Sequence, residues 1–251
     1  MSVTREIDAL IGAIRFFTRL PLPGQRGHSS ASLARAMRYF PVAGLVVGAF
    51  AALTYALAAL VWPKTLAVLA AIALAIYLTG ALHEDGWCDM VDGFGGGANR
   101  ERVLEIMRDS SVGSYGALAL IVLLFARFFV LLEIDAACVA PALVAGHAVS
   151  RLCSTLVMAR LDYVRPQGKA SPFTHRLKPG DLVLAGLPAL LPCWWLPRAS
   201  ALAGLILAGL ATLWLARLFK HRLGGYTGDC LGATQQAAEL AFYLGLLARV
   251  G

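Results

Sequence analysis

Apolar residues dominate seven stretches of the chain, at 41–62, 64–82, 112–132, 136–159, 182–196, 200–219 and 231–250. Five of them approach or exceed the roughly twenty residues that a helix needs to cross the hydrocarbon core of a bilayer. The stretch at 182–196 is shorter and carries Pro188 and Pro192, so it reads as a kinked span or a re-entrant piece. The last stretch is a weaker, amphipathic span. Ahead of them, Ile7, Leu10, Ile11, Ile14 and Phe17 recur at steps of three or four while Arg5, Glu6, Asp8 and Arg15 lie between them. That spacing predicts an amphipathic helix, either lying in the membrane interface or packed on the rest of the protein. The predicted fold is therefore an all-α, polytopic membrane bundle of about seven transmembrane helices behind an amphipathic amino-terminal segment at 1–40. No internal repeat or soluble domain is visible, and 1–251 reads as one membrane-embedded domain.

Composition agrees with this pattern. The chain is 59% hydrophobic and only 15% charged, with a mean hydropathy of +0.69, outside the range of ordinary soluble domains. The charges in the first twenty residues argue against a cleavable signal peptide. With the amino terminus on the cytoplasmic side, only Lys64, Arg198 and Arg249 of the 22 basic residues face the opposite side, and Arg127 and Arg151 fall within spans. This asymmetry predicts an inside amino terminus. It also accounts for the net charge of +7 without nucleic acid, while leaving room for anionic lipid or a phosphorylated substrate. The five cysteines are scattered, with no paired CxxC spacing, and give no case for a disulfide framework or a zinc site. Neither a Walker-type loop nor a Rossmann fingerprint is present.

The candidate chemistry gathers at the predicted cytoplasmic ends of the spans. Directly after the second stretch the chain reads HEDGWCDMVDGFGGG, with Asp85, Asp89 and Asp92 spaced by four and three. If the helix continues past the membrane edge, the three carboxylates share one face. Such a cluster repels itself unless a cation holds it, and magnesium bridged to substrate phosphates fits hard oxygen ligands best. Glu105 and Asp109 form a second acidic pair, with salt bridges to Arg102 or Arg108 as the alternative reading. Asp229 stands among glycines in LGGYTGDCLG, where it either caps the last helix or contacts metal or substrate. Its neighbours Tyr226 and Thr227 either touch substrate or shape the turn. Arg151, in an apolar span, is a candidate to grip a substrate phosphate through bidentate hydrogen bonds. Arg127 reads as a structural pairing or snorkelling residue, and His83 and His147 as hydrogen-bonded structural residues. Lys169, His175, Arg176 and Lys178 mostly obey the positive-inside rule.

Five segments in order, FFTRLPLP at 16–23, HEDGWCDMVDGFGGG at 83–97, RVLEIMRDSSVGSYGALAL at 102–120, HAVSR at 147–151 and GGYTGDCLGATQQAAE at 224–239, resemble the signatures of the cobalamin synthase family, the adenosylcobinamide-GDP ribazoletransferases. Glu84 and Cys88 are where the second segment departs from the pattern expected of many members, and neither replaces an aspartate. The resemblance implies a magnesium-dependent transfer at the bacterial cytoplasmic (inner) membrane. Adenosylcobinamide-GDP and α-ribazole, or its 5′-phosphate, would be joined to adenosylcobalamin or its phosphate with release of GMP. Within that scheme Asp85, Asp89 and Asp92 would bind magnesium and act in catalysis, with Asp92 as the choice of general base. Glu105, Asp109 and Asp229 would supply secondary metal or substrate contacts, and Arg151 would hold the diphosphate. Small-molecule substrates and the lipid bilayer are the implied partners, and association as a homo-oligomer is left open.

Two rival readings follow from the same residues. A lipid-linked alcohol phosphotransferase also carries aspartates at a helix mouth, but its Asp-Gly is followed by an alanine-arginine pair, whereas Asp85-Gly86 is followed by Trp87-Cys88. A prenyltransferase with two aspartate-rich motifs is more remote. A membrane transporter would place charges near the midplane, where only Arg127 is a candidate.

Overall fold

A computed structural model describes residues 3–22, 35–165 and 177–248. Lys169, His175, Arg176, Arg249 and the end of the FFTRLPLP motif lie outside the described residues. The helices in chain order are α1 (Val3–Phe17), α2 (Phe40–Ala59), α3 (Lys64–Thr79), α4 (Leu82–Gly96), α5 (Arg100–Ile106), α6 (Ser114–Glu133), α7 (Ala136–Arg160), α8 (Pro179–Leu190), α9 (Arg198–Leu223) and α10 (Gly228–Leu246). Short 3-10 turns precede α2 (Met37–Tyr39) and follow α8 (Leu191–Trp195). Among the described residues the only extended pairing is an isolated bridge between Tyr163 and Tyr226.

Among the described residues, four helices are long and apolar enough to cross a membrane: α2 with its preceding turn, α6, α7 and α9. The bent pair α3 and α4 makes a fifth if it is taken as one span. The outward faces of α2 (Phe50, Leu53, Leu57), α6 (Leu118, Val122, Phe125) and α9 (Leu202, Ile206, Leu210) are apolar and exposed, as lipid-facing surfaces should be. The two weaker stretches do not meet the same test. Proline divides the first into the twelve-residue α8 and a 3-10 turn. In the second, α10 carries Gln235, Gln236 and Glu239, all 2% exposed or less, while Leu244 is exposed. Its polar stripe faces the protein interior, the reverse of a soluble amphipathic helix.

The helix after the second stretch does not run on past the membrane edge, as the aspartate spacing had suggested. The carboxyl end of α3 closes with the Ala81 N–H on the Ile76 carbonyl at 3.0 Å and the Gly80 N–H on the Tyr77 carbonyl at 3.2 Å, a Schellman closure. Gly80 at φ 65° and Ala81 at φ 58° are both left-handed, and α4 leaves at 85° to α3. The Arg19 N–H caps the bend by donating to the Leu78 carbonyl at 2.8 Å. Beyond the bend α4 packs along α6 and α10, from Glu84 beside Arg127 and Gln236 to Asp92 beside Gly113 and Gly116. Helix α1 is docked on the bundle as well, burying Ala9, Gly12, Ala13 and Phe17. Glu6 of α1 accepts from the Tyr39 hydroxyl at 2.7 Å, and Arg38 bridges Glu6 at 3.5 Å and Asp181 at 2.9 Å.

The centre of the bundle is ionic. Arg127 of α6 lies 3.6 Å from Glu84 of α4 and 3.6 Å from Glu239 of α10, and it also donates to the Gln236 side chain. Gln236 donates to Glu84 at 3.0 Å and to Gln235 at 2.9 Å. His147 of α7 meets the other oxygen of Glu239 at 2.9 Å. Arg127 thus has the structural pairing expected of it, and Glu84 is its partner. Cutting one member of such a network leaves the others as buried, unpaired charges. An Arg127→Met variant should lose about 3–5 kcal/mol of stability; unfolding of the purified protein in detergent, against the parent, measures this.

Candidate active site

The polar end of the bundle holds a cleft of about 730 Å³. It forms where α4 crosses the start of α10, and glycines permit the crossing. A Cβ on Gly86 would sit 3.0 Å from the Asp229 Cα, and one on Gly232 would sit 3.2 Å from the His83 carbonyl oxygen. Backbone contact at this point carries Asp85 and Asp89, on either side of Gly86, up to Asp229 in the first turn of α10. All three aspartates line the cleft. Of the three carboxylates expected on one helix the cleft takes two, Asp85 and Asp89, and joins to them Asp229, expected as a secondary contact, from α10.

The electrostatics follow from that convergence. Burial pushes the Asp89 carboxyl up to about 7, and the charges of Asp229 and Asp85 push in the same direction. Burial also raises Asp229, opposed by Arg165. Arg165 donates to Asp229 at 2.7 Å and to the Met107 carbonyl at 3.1 Å. It is positioned by the short pairing in which the Val164 N–H donates to the Tyr226 carbonyl at 3.0 Å and the Tyr226 N–H to the Asp162 carbonyl at 2.9 Å. Arg151, only 1% exposed, lines the cleft from α7, and one of its terminal nitrogens donates to the His147 carbonyl at 3.0 Å.

Several residues expected in the site stand elsewhere. Asp92 does not line the cleft; its two carboxylate oxygens accept the N–H groups of Gly113 and Gly116, each at 2.8 Å. It anchors the amino end of α6, and a side chain on Gly116 would collide with it. Both carboxylate oxygens of Asp92 are thus engaged away from the cleft. Glu105 is exposed and pairs with Arg102 at 2.8 Å, the alternative already visible in the sequence. Asp109 is at the cleft wall but accepts from the Ser111 N–H at 2.9 Å and hydroxyl at 2.8 Å, bonds that lower its pKa. Thr227, not Asp229, caps α10 by accepting the Cys230 N–H at 3.3 Å. Tyr226 is buried against Tyr163 with ring centroids 5.5 Å apart; both residues shape the turn. Among the described residues no three His, Cys, Asp or Glu side chains form a ready-made metal cage.

Arg165, Ser154, Phe16, Phe17, Phe40 and His83 line the cleft and were not singled out as site residues. Arg165 was one basic residue among many on its side of the membrane, and the aromatic pair belonged to a helix that any membrane surface would explain. Glu84 and Cys88, the departures noted in the acidic run, both point away from the cleft: Glu84 into the ionic core, Cys88 toward the Gly116 carbonyl at 3.6 Å.

The family profile described as cobalamin-5-phosphate synthase matches residues 9–247. The chain belongs to that family. Relatives named adenosylcobinamide-GDP ribazoletransferase include one from Shewanella amazonensis, 41% identical over 249 residues and covering 97% of this chain and 96% of the relative. Another, from Ralstonia pickettii, is 43% identical over 256 residues, 99% and 98% of the two chains. A third, from Vibrio cholerae, is 38% identical over 250 residues, 97% and 94%. No solved structure matches the chain.

The two aspartates of α4 differ in what their removal should do. Asp92→Ala strands two backbone N–H groups and should cost about 2 kcal/mol or more of stability. Asp89→Asn removes a half-buried charge that burial and two carboxylates disfavour, so at pH 8, where Asp89 is ionised, it should leave the fold as stable as the parent or more so. Thermal unfolding of both variants at that pH checks the contrast.

Proposed function

We propose that this protein is an adenosylcobinamide-GDP ribazoletransferase, joining adenosylcobinamide-GDP to α-ribazole or its 5′-phosphate and releasing GMP in a late step of cobalamin biosynthesis. The observation that carries the reading is the cleft that Asp85, Asp89 and Asp229 line together with Arg151 and Arg165, in a chain related over nearly its whole length to enzymes of that name. A diphosphate ester needs its charge neutralised along the reacting oxygens, and phosphoryl transfer depends mainly on positioning and charge stabilisation.

The donor set fits a magnesium ion. Such ions are usually held by one or two carboxylates together with substrate phosphates rather than by a closed protein cage. Asp85 and Asp89 would hold it, with Asp229 beside them; bound there, it would neutralise phosphate charge and favour GMP as leaving group. Arg151 lines the same cleft from α7, its guanidinium held by the His147 carbonyl, and would bind the diphosphate through its remaining N–H groups. Arg165 keeps the charge of Asp229 compensated and holds the 161–165 segment against the cleft. The attacking ribazole hydroxyl bonds to the cobinamide-linked phosphorus as the bond to the GMP oxygen breaks, and its proton passes to a cleft carboxylate.

We further place the cleft on the cytoplasmic side of the bacterial inner membrane, from the basic residues that accompany it. Helix α8 with its following turn and α10 would complete seven crossings. A phosphotransferase acting on lipid-linked alcohols is the second reading, disfavoured by Trp87 and Cys88 after Asp85-Gly86.

Purified protein given adenosylcobinamide-GDP and α-ribazole should release GMP only when both α-ribazole and magnesium are present, with the corrinoid spectrum changing in step. Asp89→Asn should reduce the rate at least about a hundredfold while membrane insertion and folding persist. Normal turnover by this variant would remove the central assignment.

A further inference from the structure

The cleft has two chemically distinct halves, and the acidic half accounts for only one of them. The other wall is aromatic. Phe16 and Phe17 end α1, and Phe40 begins α2; Phe16 and Phe40 lie parallel within 6°, centroids 6.1 Å apart, and Phe17 meets Phe40 edge-on at 4.5 Å. The His83 ring stacks on Phe17 at 5.3 Å with 12° between planes, and the Arg151 guanidinium carbon lies 5.4 Å from the same ring. His83 and Arg151 are 4% and 1% exposed, yet His83 Nε2 and Arg151 Nε are buried with no hydrogen-bond partner among the described residues. Two orphaned nitrogens on one wall of a cleft are costly unless a ligand meets them. An imidazole nitrogen is a donor or an acceptor according to its tautomer, and a guanidinium N–H is a donor.

We propose that this wall is a subsite for the planar heterocycle of a nucleoside, its face against Phe16, the least buried of the three phenylalanines, and a polar edge hydrogen-bonded to His83 Nε2. An acyl chain has no edge to satisfy the nitrogens, and a lone phosphate has no use for the aromatic faces. A heterocycle meets both, and its attached phosphate falls to Arg151, whose side chain adjoins both halves. The inference rests on the functional reading above, in which both substrates carry such a ring: guanine in one, benzimidazole in the other. The shared chemistry is what the wall recognises, and the experiment assigns the source. It also gives the amino-terminal segment a function beyond anchorage, because α1 and the FFTRLPLP motif carry part of the wall.

The test uses the full chain in detergent. His83→Phe keeps a ring on Phe17 and removes the nitrogens; Phe16→Leu, at a half-buried position, keeps apolar bulk, removes the aromatic face and stands in should the first variant not fold. Each should raise the KM for one of the two nucleoside substrates about tenfold, the scale of one base–aromatic stack, with kcat little changed. The same factor should appear in the Kd of the matching free ligand by equilibrium dialysis, GMP if the ring is guanine and α-ribazole if it is the benzimidazole. Folded variants with both KM and both Kd values unchanged, or with only kcat reduced, would overturn the subsite. An inactive parent protein would instead overturn the functional reading, and ligand binding by dialysis still reports on the wall in that case.

Discussion

Charge buried between helices sets the terms for the whole structure. In a membrane bundle the lipid offers no hydrophobic incentive for helices to associate, so packing and polar contacts decide which faces meet. Here Arg127 joins α6 to α4 through Glu84 and to α10 through Glu239, and His147 brings in α7. Each partner is costly alone and tolerable only when all are present. The network therefore specifies register as much as it stabilises, since a turn's slip of any one helix would strand a charge. Glu239 and Glu84 also offset the positive charge of Arg127 that Arg151 would otherwise face.

From that anchor the cleft follows geometrically. Glu84 is fixed by Arg127, so its neighbours in α4 are fixed too, and Asp85 and Asp89 are presented along the opposite side of the helix. The left-handed pair Gly80 and Ala81 turns α4 away from α3, and left-handed backbone at a residue with a Cβ is usually retained where geometry is wanted more than ease. Gly86 and Gly232 then allow the backbones of α4 and α10 to touch. Without that contact Asp229 would remain a residue of a helix amino terminus, and the carboxylates of α4 would face solvent.

The parts legible in the sequence were those set by composition and period. Apolar length located α2, α3, α6, α7 and α9, and the aspartate run located the cleft. What stayed hidden depended on contacts between distant segments. Asp92 shares a period with Asp85 and Asp89, and nothing local says that two glycine N–H groups of another helix will occupy it. The Schellman closure at Gly80 was concealed because an apolar run followed directly by an amphipathic one reads as one helix. Helix α10 looked like a weak amphipathic span because hydropathy treats Gln235, Gln236 and Glu239 as a solvent face, whereas inside a membrane bundle polar residues turn inward. The role of Arg165 was masked by the positive-inside bias that explains any basic loop.

The crowded aspartates do not depend on a bound cation alone for their charge balance. In the absence of ligand, part of the balance comes from the protein itself: Arg165 is bonded to Asp229, and burial raises Asp89 toward neutrality. The site is thus charge-compensated before any divalent ion or diphosphate arrives, which lets α4 and α10 keep their close crossing. Binding a cation with a diphosphate adds opposite charges together, so the compensation already present need not be undone. A cage of three fully ionised aspartates would be a stronger trap for a free cation but would repel itself when empty. Under the proposed magnesium reading, two carboxylates backed by a third that an arginine already holds would favour a cation delivered together with its phosphate ligand.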